Sequence, residues 1–182
     1  MTAAAATLRR ETAFHEAGHA AMHASRGRGA DVELYGPADE RGSGGCTPVM
    51  DDLLLGWEAA LSSSAGFTAE AILRGLSIDA FLVVLRRWMD EVRAADEAGR
   101  REMAGSDQSD LVFLADRKGI DVEEAVRSVW SVLAARWPEV EAVATALLAK
   151  PLAPDGSARL SVDEVRAAMR SAAPVQSPRR AG

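Results

Sequence analysis

A chain of 182 residues, 48% of them apolar and 26% charged, is long enough for one domain with a real core and too short for two of ordinary size. Its net charge of −6 argues against general affinity for nucleic acid, which needs a basic face, and the Arg pairs at 9–10, 86–87 and 100–101 lie scattered among acids as solvated helix faces do. A single cysteine, Cys46, excludes an intrachain disulfide and fits a reducing cytoplasm, while the longest apolar run, Ala80 to Leu85, falls far short of the ~20 residues of a membrane span.

Residues 1–6 are Ala-rich and expected to fray, without the apolar core and cleavage site of a signal peptide. A helix follows over about 7–25, with Leu8, Phe14, Ala17, Ala21 and Met22 among its apolar positions, and Arg26-Gly27-Arg28-Gly29 ends it. Asp31 to Tyr35 alternates polar and apolar residues, and turn signals stand at Gly36-Pro37 and Gly42–Gly45. Residues 31–50 therefore read as a strand pair or small irregular β element. Cys46, beside Gly44 and Gly45, reads as an incidental loop residue. Helical periodicity resumes at about 52–63, 66–74 and 79–94. The charged stretch 95–105 suits a helical extension or a mobile loop. Ser106 caps a helix over about 107–118, which Gly119 stops. Asp121 with Glu124 opens a helix to about 136, and Pro138 suits the first turn of the next, which reaches about 149. After a loop over 151–158, Ser161 with Glu164 opens a final helix to about 171, and 173–182 read as a disordered tail. The expectation is a mainly α domain over 1–172, with one small β hairpin or irregular strand pair after the first helix and no internal repeat.

The first helix contains His15-Glu16-Ala17-Gly18-His19, an H-E-x-x-H pattern. Residues four apart share a helix face, so two imidazoles can hold one zinc ion without breaking the helix. Zinc lowers the pKa of a bound water to ~7, and Glu16, beside the first ligand but not itself a ligand, is placed to take its proton as catalytic base. The pattern can arise by chance, but two of the chain's three His fall in it, and its flanks, Phe14, Ala17, Ala20 and Ala21, suit a buried helix. Gly18 costs ~1 kcal/mol relative to Ala in a helix interior, which implies a close neighbour. His23 is the obvious third ligand and fails on geometry. It stands about 12 Å along the helix from His15, whereas nitrogens on one zinc are no more than ~4 Å apart. His23 is expected to cap, pack or sit behind the ligands. The longer pattern with a third His is absent, because Met22 and Ser25 occupy its positions. A carboxylate from elsewhere must complete the site, and spacing alone does not choose it.

Four stretches, in order, resemble the peptidase domain of the FtsH family of ATP-dependent zinc metalloproteases. They are Ala13 to Ala20 around H-E-A-G-H, Ala65 to Gly75 (similar to G-G-R-A-A-E-E-I-I-F-G), Gly105 to Leu111 (similar to G-A-x-N-D-[LI]), and Trp137 to Met169. The resemblance implies Zn2+ as cofactor and Asp110 as third ligand, since Asp110 directly precedes Leu111. Asp107 is the alternative, because the spacing from Gly105 to Asp110 is one residue longer than the family's. It also implies that Glu70, matching a family acid, either orients a ligand His or makes a polar contact between helices.

The chain departs from that family in several places. It carries no G-x-x-x-x-G-K-[ST] nucleotide loop and no membrane span. Residues 76–104 form a longer link, like an inserted helix or loop. Phe67 replaces the family's Arg, and Ala71 its second glutamate. The expectation is a cytoplasmic zinc metalloendopeptidase acting on unfolded or flexible polypeptides, alone or with an ATPase or unfoldase partner in trans. Its oligomeric state is left open. The alternative is a non-catalytic regulatory or binding protein that keeps the fold, with or without the zinc.

Overall fold

The computed structural model describes residues 3–36, 44–49, 56–95 and 106–172. Small side chains set its central contact. Helix α1 (Ala3–Ser25) buries Ala13, Ala17, Ala20 and Ala21, and helix α2 (Trp57–Leu73) buries Ala60, Ala65 and Ala69. The two pack so closely at Gly18 that a Cβ there would lie 2.6 Å from Ala69 Cβ and 2.8 Å from the Ala65 carbonyl oxygen. This is the close neighbour that Gly18 implied.

Strand β1 (Gly29–Leu34) is the middle of a three-stranded antiparallel sheet, between β2 (Gly44–Val49) and β3 (Ala158–Leu160). Val32 stands opposite both Cys46 and Leu160. Alternate residues Ala30, Val32, Leu34, Ala158 and Leu160 are buried, as expected of a sheet with one core face, and that face packs on α1.

Five more helices complete the described architecture: α3 (Ile78–Ala94), α4 (Asp107–Lys118), α5 (Val122–Ala135), α6 (Trp137–Ala149) and α7 (Val162–Ser171). The caps read from sequence at Ser106, Asp121, Ser161 and Gly119 are present, and Ser77 caps α3 in the same way. Ser77, Ser106, Asp121 and Ser161 each accept a backbone N–H in the first turn, Ser161 and Glu164 form a reciprocal capping box, and Gly119 ends α4 at φ 64°. α3 buries Phe81, Leu82, Leu85, Met89 and Val92 and packs on α4. One hydrophobic cluster draws on every helix and strand.

The mainly α class with a small antiparallel sheet is therefore the observed one. Three expectations change. Residues 3–6, expected to fray, belong to α1, which starts at Ala3. The helices expected at 52–63 and 66–74 are one continuous α2 in the part described, because Gly66 sits inside the helix against a side chain of α1 rather than ending it. The loop expected over 151–158 leads into β3, three residues too short to show a periodicity. Positions 52–55, the stretch 96–105 and the tail 173–182 lie outside the described residues. Among the described residues no helix is long and apolar enough to cross a membrane.

Candidate metal centre

His15 and His19 lie one turn apart on α1, their ring centroids 4.9 Å from each other. Asp107, the first residue of α4, comes from the opposite side. Its Oδ2 is 3.1 Å from His15 Nε2 and 3.1 Å from His19 Nε2. One ligand atom from each of the three residues falls within 4.8 Å of the others.

The third residue is thus Asp107, where the resemblance had put Asp110. The reason is helix phase. Asp107, Leu111 and Leu114 share a stripe at i, i+4 and i+7, and both leucines are buried, so Asp107 continues the inward face. Asp110 falls on the exposed side with Phe113 and Arg117 and is not part of the cluster. The apolar stripe of α4 was the sequence signal that distinguishes them. The N-terminal position also suits an ionised carboxylate, which faces the positive end of the helix dipole.

Behind His15 lies an ordered polar chain. His15 Nδ1 is 2.7 Å from Glu70 Oε1, so Glu70 makes a polar contact between helices with the His15 imidazole. Glu70 Oε2 is 3.2 Å from a guanidinium nitrogen of Arg74. Arg74 in turn donates to both carboxylate oxygens of Glu11 at 3.1 Å. Phe67 sets its ring edge-on to His15, with centroids 5.0 Å apart, and Trp88 of α3 stands 5.3 Å from Phe67. Glu11, Arg74 and Trp88 were not singled out from sequence. The i, i+4 spacings Glu11–His15 and Glu70–Arg74 were the available signal.

Burial and charge oppose each other here. Burial alone would lower the pKa of His15, but its hydrogen bonds to Asp107 and Glu70 outweigh this and raise it to about 10. Burial works to raise Asp107; the nearby His19 charge and the hydrogen bonds from both imidazoles prevail and hold it well below the usual carboxylate range. Both imidazoles thus lie within hydrogen-bond distance of the one carboxylate oxygen of Asp107.

Glu16 is buried and stands outside that cluster. Burial raises its pKa, against the pull of His19 and His15 and with help from the Asp107 and Glu70 charges. β2 passes close over it, since a Cβ on Gly44 would lie 2.8 Å from Glu16 Oε1 and 2.7 Å from Thr12 Cγ2. Cys46, two residues along β2 on the same face as Gly44, packs against the core rather than sitting in a loop. Burial, then the Glu16 and Asp107 charges, push its thiol well above the ordinary value, which disfavours the thiolate. His23 points elsewhere: its Nε2 is 3.3 Å from Ser62 Oγ, and burial, with the His19 and Arg28 charges, lowers its pKa to about 4. It packs as a neutral side chain and is not among the residues that converge.

Neither the scan against protein-family models nor the search of curated proteins found a match to this chain.

Proposed function

We propose that the chain is a zinc-dependent metallopeptidase, with His15, His19 and Asp107 as ligands and Glu16 as general base. The observation that carries this reading is the convergence of two imidazole nitrogens and one carboxylate oxygen beside a buried carboxylate outside the ligand set. The donor set fits the ion. Two neutral nitrogens and one carboxylate oxygen are a common catalytic zinc set, and the 3.1 Å separations match the ~3.3 Å edge of a tetrahedron with ligands ~2.0–2.1 Å from its centre. A structural zinc would have no use for Glu16.

Zinc held there would supply a Lewis acid for a peptide carbonyl and a more acidic water. The protein's own residues do the rest. Glu16 takes the proton of the attacking water and returns it to the leaving amine nitrogen, and burial, which raises its pKa, makes it a stronger proton acceptor than an exposed carboxylate. Glu70 accepts from His15 Nδ1–H, which leaves Nε2 free as a donor atom. The resemblance of residues 13–20 and 65–75 to the FtsH peptidase domain supports the roles of His15, Glu16 and His19, while for the third ligand it favoured Asp110 over Asp107. An unfolded or flexible polypeptide suits the surroundings. Among the described residues β2 pairs with β1 on one side only, and Gly44 at its start offers main chain without a side chain beside Glu16. An extended peptide can add to such an edge.

Metal analysis and casein digestion test the proposal together. The purified protein is expected to hold about one zinc per chain. Glu16→Gln should keep that zinc and abolish cleavage. Zinc without cleavage of any unfolded substrate would support a regulatory or binding role instead, and absence of zinc from the native protein would end the peptidase reading.

A further inference from the structure

We infer that Arg74 and Glu11 are positioning residues for the metal centre, acting through Glu70 on the orientation of the His15 ring. This rests on the metal-site reading above. The geometry is a relay that crosses twice between α1 and α2. Glu11 stands one turn before His15 on α1, and Arg74, the residue that caps the end of α2, stands one turn after Glu70. The guanidinium engages both oxygens of Glu11, through Nε and a terminal nitrogen, each at 3.1 Å. That two-point fork fixes the plane of Arg74. The same side of the fork reaches Glu70 Oε2 at 3.2 Å. Glu70 then has one oxygen on Arg74 and the other on His15 Nδ1 at 2.7 Å, so neither is left to turn the carboxylate away from the ring.

The charges alternate along the relay, from Glu11 through Arg74 to Glu70, and end on an imidazole that must present a lone pair at Nε2. A Glu70 carboxylate without Arg74 would stand in a partly buried setting with Asp107 and Glu16 nearby and no cation on its outer oxygen. Its side chain is 18% exposed, against 44% for Arg74 and 26% for Glu11. Exposed ion pairs add little to folding. The outer links should therefore matter less to stability than to the ring they steady. Groups that hydrogen-bond to metal ligands typically change metal affinity 10–100-fold when removed.

The test is zinc affinity by chelator competition, with the stability of the metal-free protein measured in parallel. Arg74→Met is expected to bind zinc about tenfold more weakly while unfolding at nearly the wild-type denaturant concentration. Arg74→Lys, which keeps the charge and loses the fork, should recover only part of the affinity. Glu11→Gln should shift it in the same direction by a smaller factor, and it decides the matter if Arg74→Met does not fold. In a Glu70→Gln background, Arg74→Met should have no further effect, because the relay has been cut at its middle link. Wild-type affinity in Arg74→Met and Glu11→Gln overturns the inference and leaves the peptidase reading standing. A full additional loss in the Glu70→Gln background also overturns it, since Arg74 would then act by another route. A native protein without zinc overturns both.

Discussion

Gly66 leaves the space that the His15 imidazole fills: a Cβ on Gly66 would lie 2.2 Å from His15 Nε2 and 2.4 Å from Cδ2 and Cε1 of the ring. Any side chain at this position of α2 would meet the His15 ring from α1, which accounts for a glycine at the helix centre although glycine is a poor helix former.

Gly66→Ala therefore separates folding from metal binding. Alanine is preferred in a helix interior by ~1 kcal/mol, and the atom in its way is the far end of a movable side chain. The variant should fold with unchanged or slightly higher stability. The displaced ring should no longer meet Asp107, and zinc affinity should drop by roughly tenfold or more. Thermal unfolding and chelator competition on one preparation check both halves. Undiminished zinc affinity would mean that the ring has another place to go.

Asp107 and Asp110 give opposite results. Asp107→Asn removes the carboxylate that meets both imidazoles and should abolish stoichiometric zinc binding. Asp110→Asn alters an exposed residue and should leave zinc at about one per chain. Metal content after dialysis distinguishes the two, and loss of zinc in Asp110→Asn alone would refute the assignment.

What the sequence revealed follows from range. His15, Glu16 and His19 lie within one helical turn, and the 1.5 Å rise per residue already removed His23. The caps at Ser106, Asp121 and Ser161 are likewise local and were legible. Asp107 was harder, because its choice over Asp110 depends on how α4 turns about its axis, which Leu111 and Leu114 decide by packing in the core. The continuity of α2 through Gly66 and the pairing of β3 with β1 depend on partners 51 or more residues away, namely His15 and Val32. The Glu11–Arg74 fork spans 63 positions, and only the fold brings its halves together.

Zinc should compete with protons. In the metal-free protein the hydrogen bonds to Asp107 and Glu70 hold His15 at about 10, so at neutral pH it carries a proton that must leave before Nε2 can bind a metal. Apparent zinc affinity should rise with pH through the neutral range, with about one proton released per ion. Calorimetry in two buffers of different ionisation enthalpy measures that proton directly. The metal-free fold should show the opposite trend. A folded value above the ordinary 6.5 gives stability that is fully present below 6.5 and is lost as pH climbs toward 10. A flat zinc affinity between about pH 6 and 8 would contradict the cluster as drawn.

Gly18→Ala differs from Gly66→Ala in what stands in the way. The obstacles are Ala69 Cβ at 2.6 Å and the Ala65 carbonyl oxygen at 2.8 Å, on the backbone side of a packed helix that has no side chain to swing aside. Better helix propensity is worth ~1 kcal/mol at most, whereas overpacking a core contact costs typically 1–3 kcal/mol. Net destabilisation of about 1–2 kcal/mol is expected, read from the urea midpoint at constant slope. Zinc affinity should also fall, because moving α1 from α2 shifts His15 relative to Glu70.

His23 supplies an acid-sensitive element apart from the metal centre. Burial, reinforced by the His19 and Arg28 charges and only partly offset by Glu58, puts its folded value near 4, below the ordinary 6.5. Between those two values the unfolded chain binds a proton that the folded chain refuses, so stability falls as pH drops from about 6.5 and levels off below about 4. His23→Gln keeps a polar group near Ser62 Oγ, which the imidazole meets at 3.3 Å, and removes the titration. The variant should lose less stability than wild type on acidification from pH 7 to 5, a difference of order 1 kcal/mol in urea unfolding. Its zinc content at neutral pH should match wild type, since His23 stands outside the converging set. If His23→Gln lost zinc as His19→Ala is expected to, the separation of His23 from the ligands would have to be abandoned.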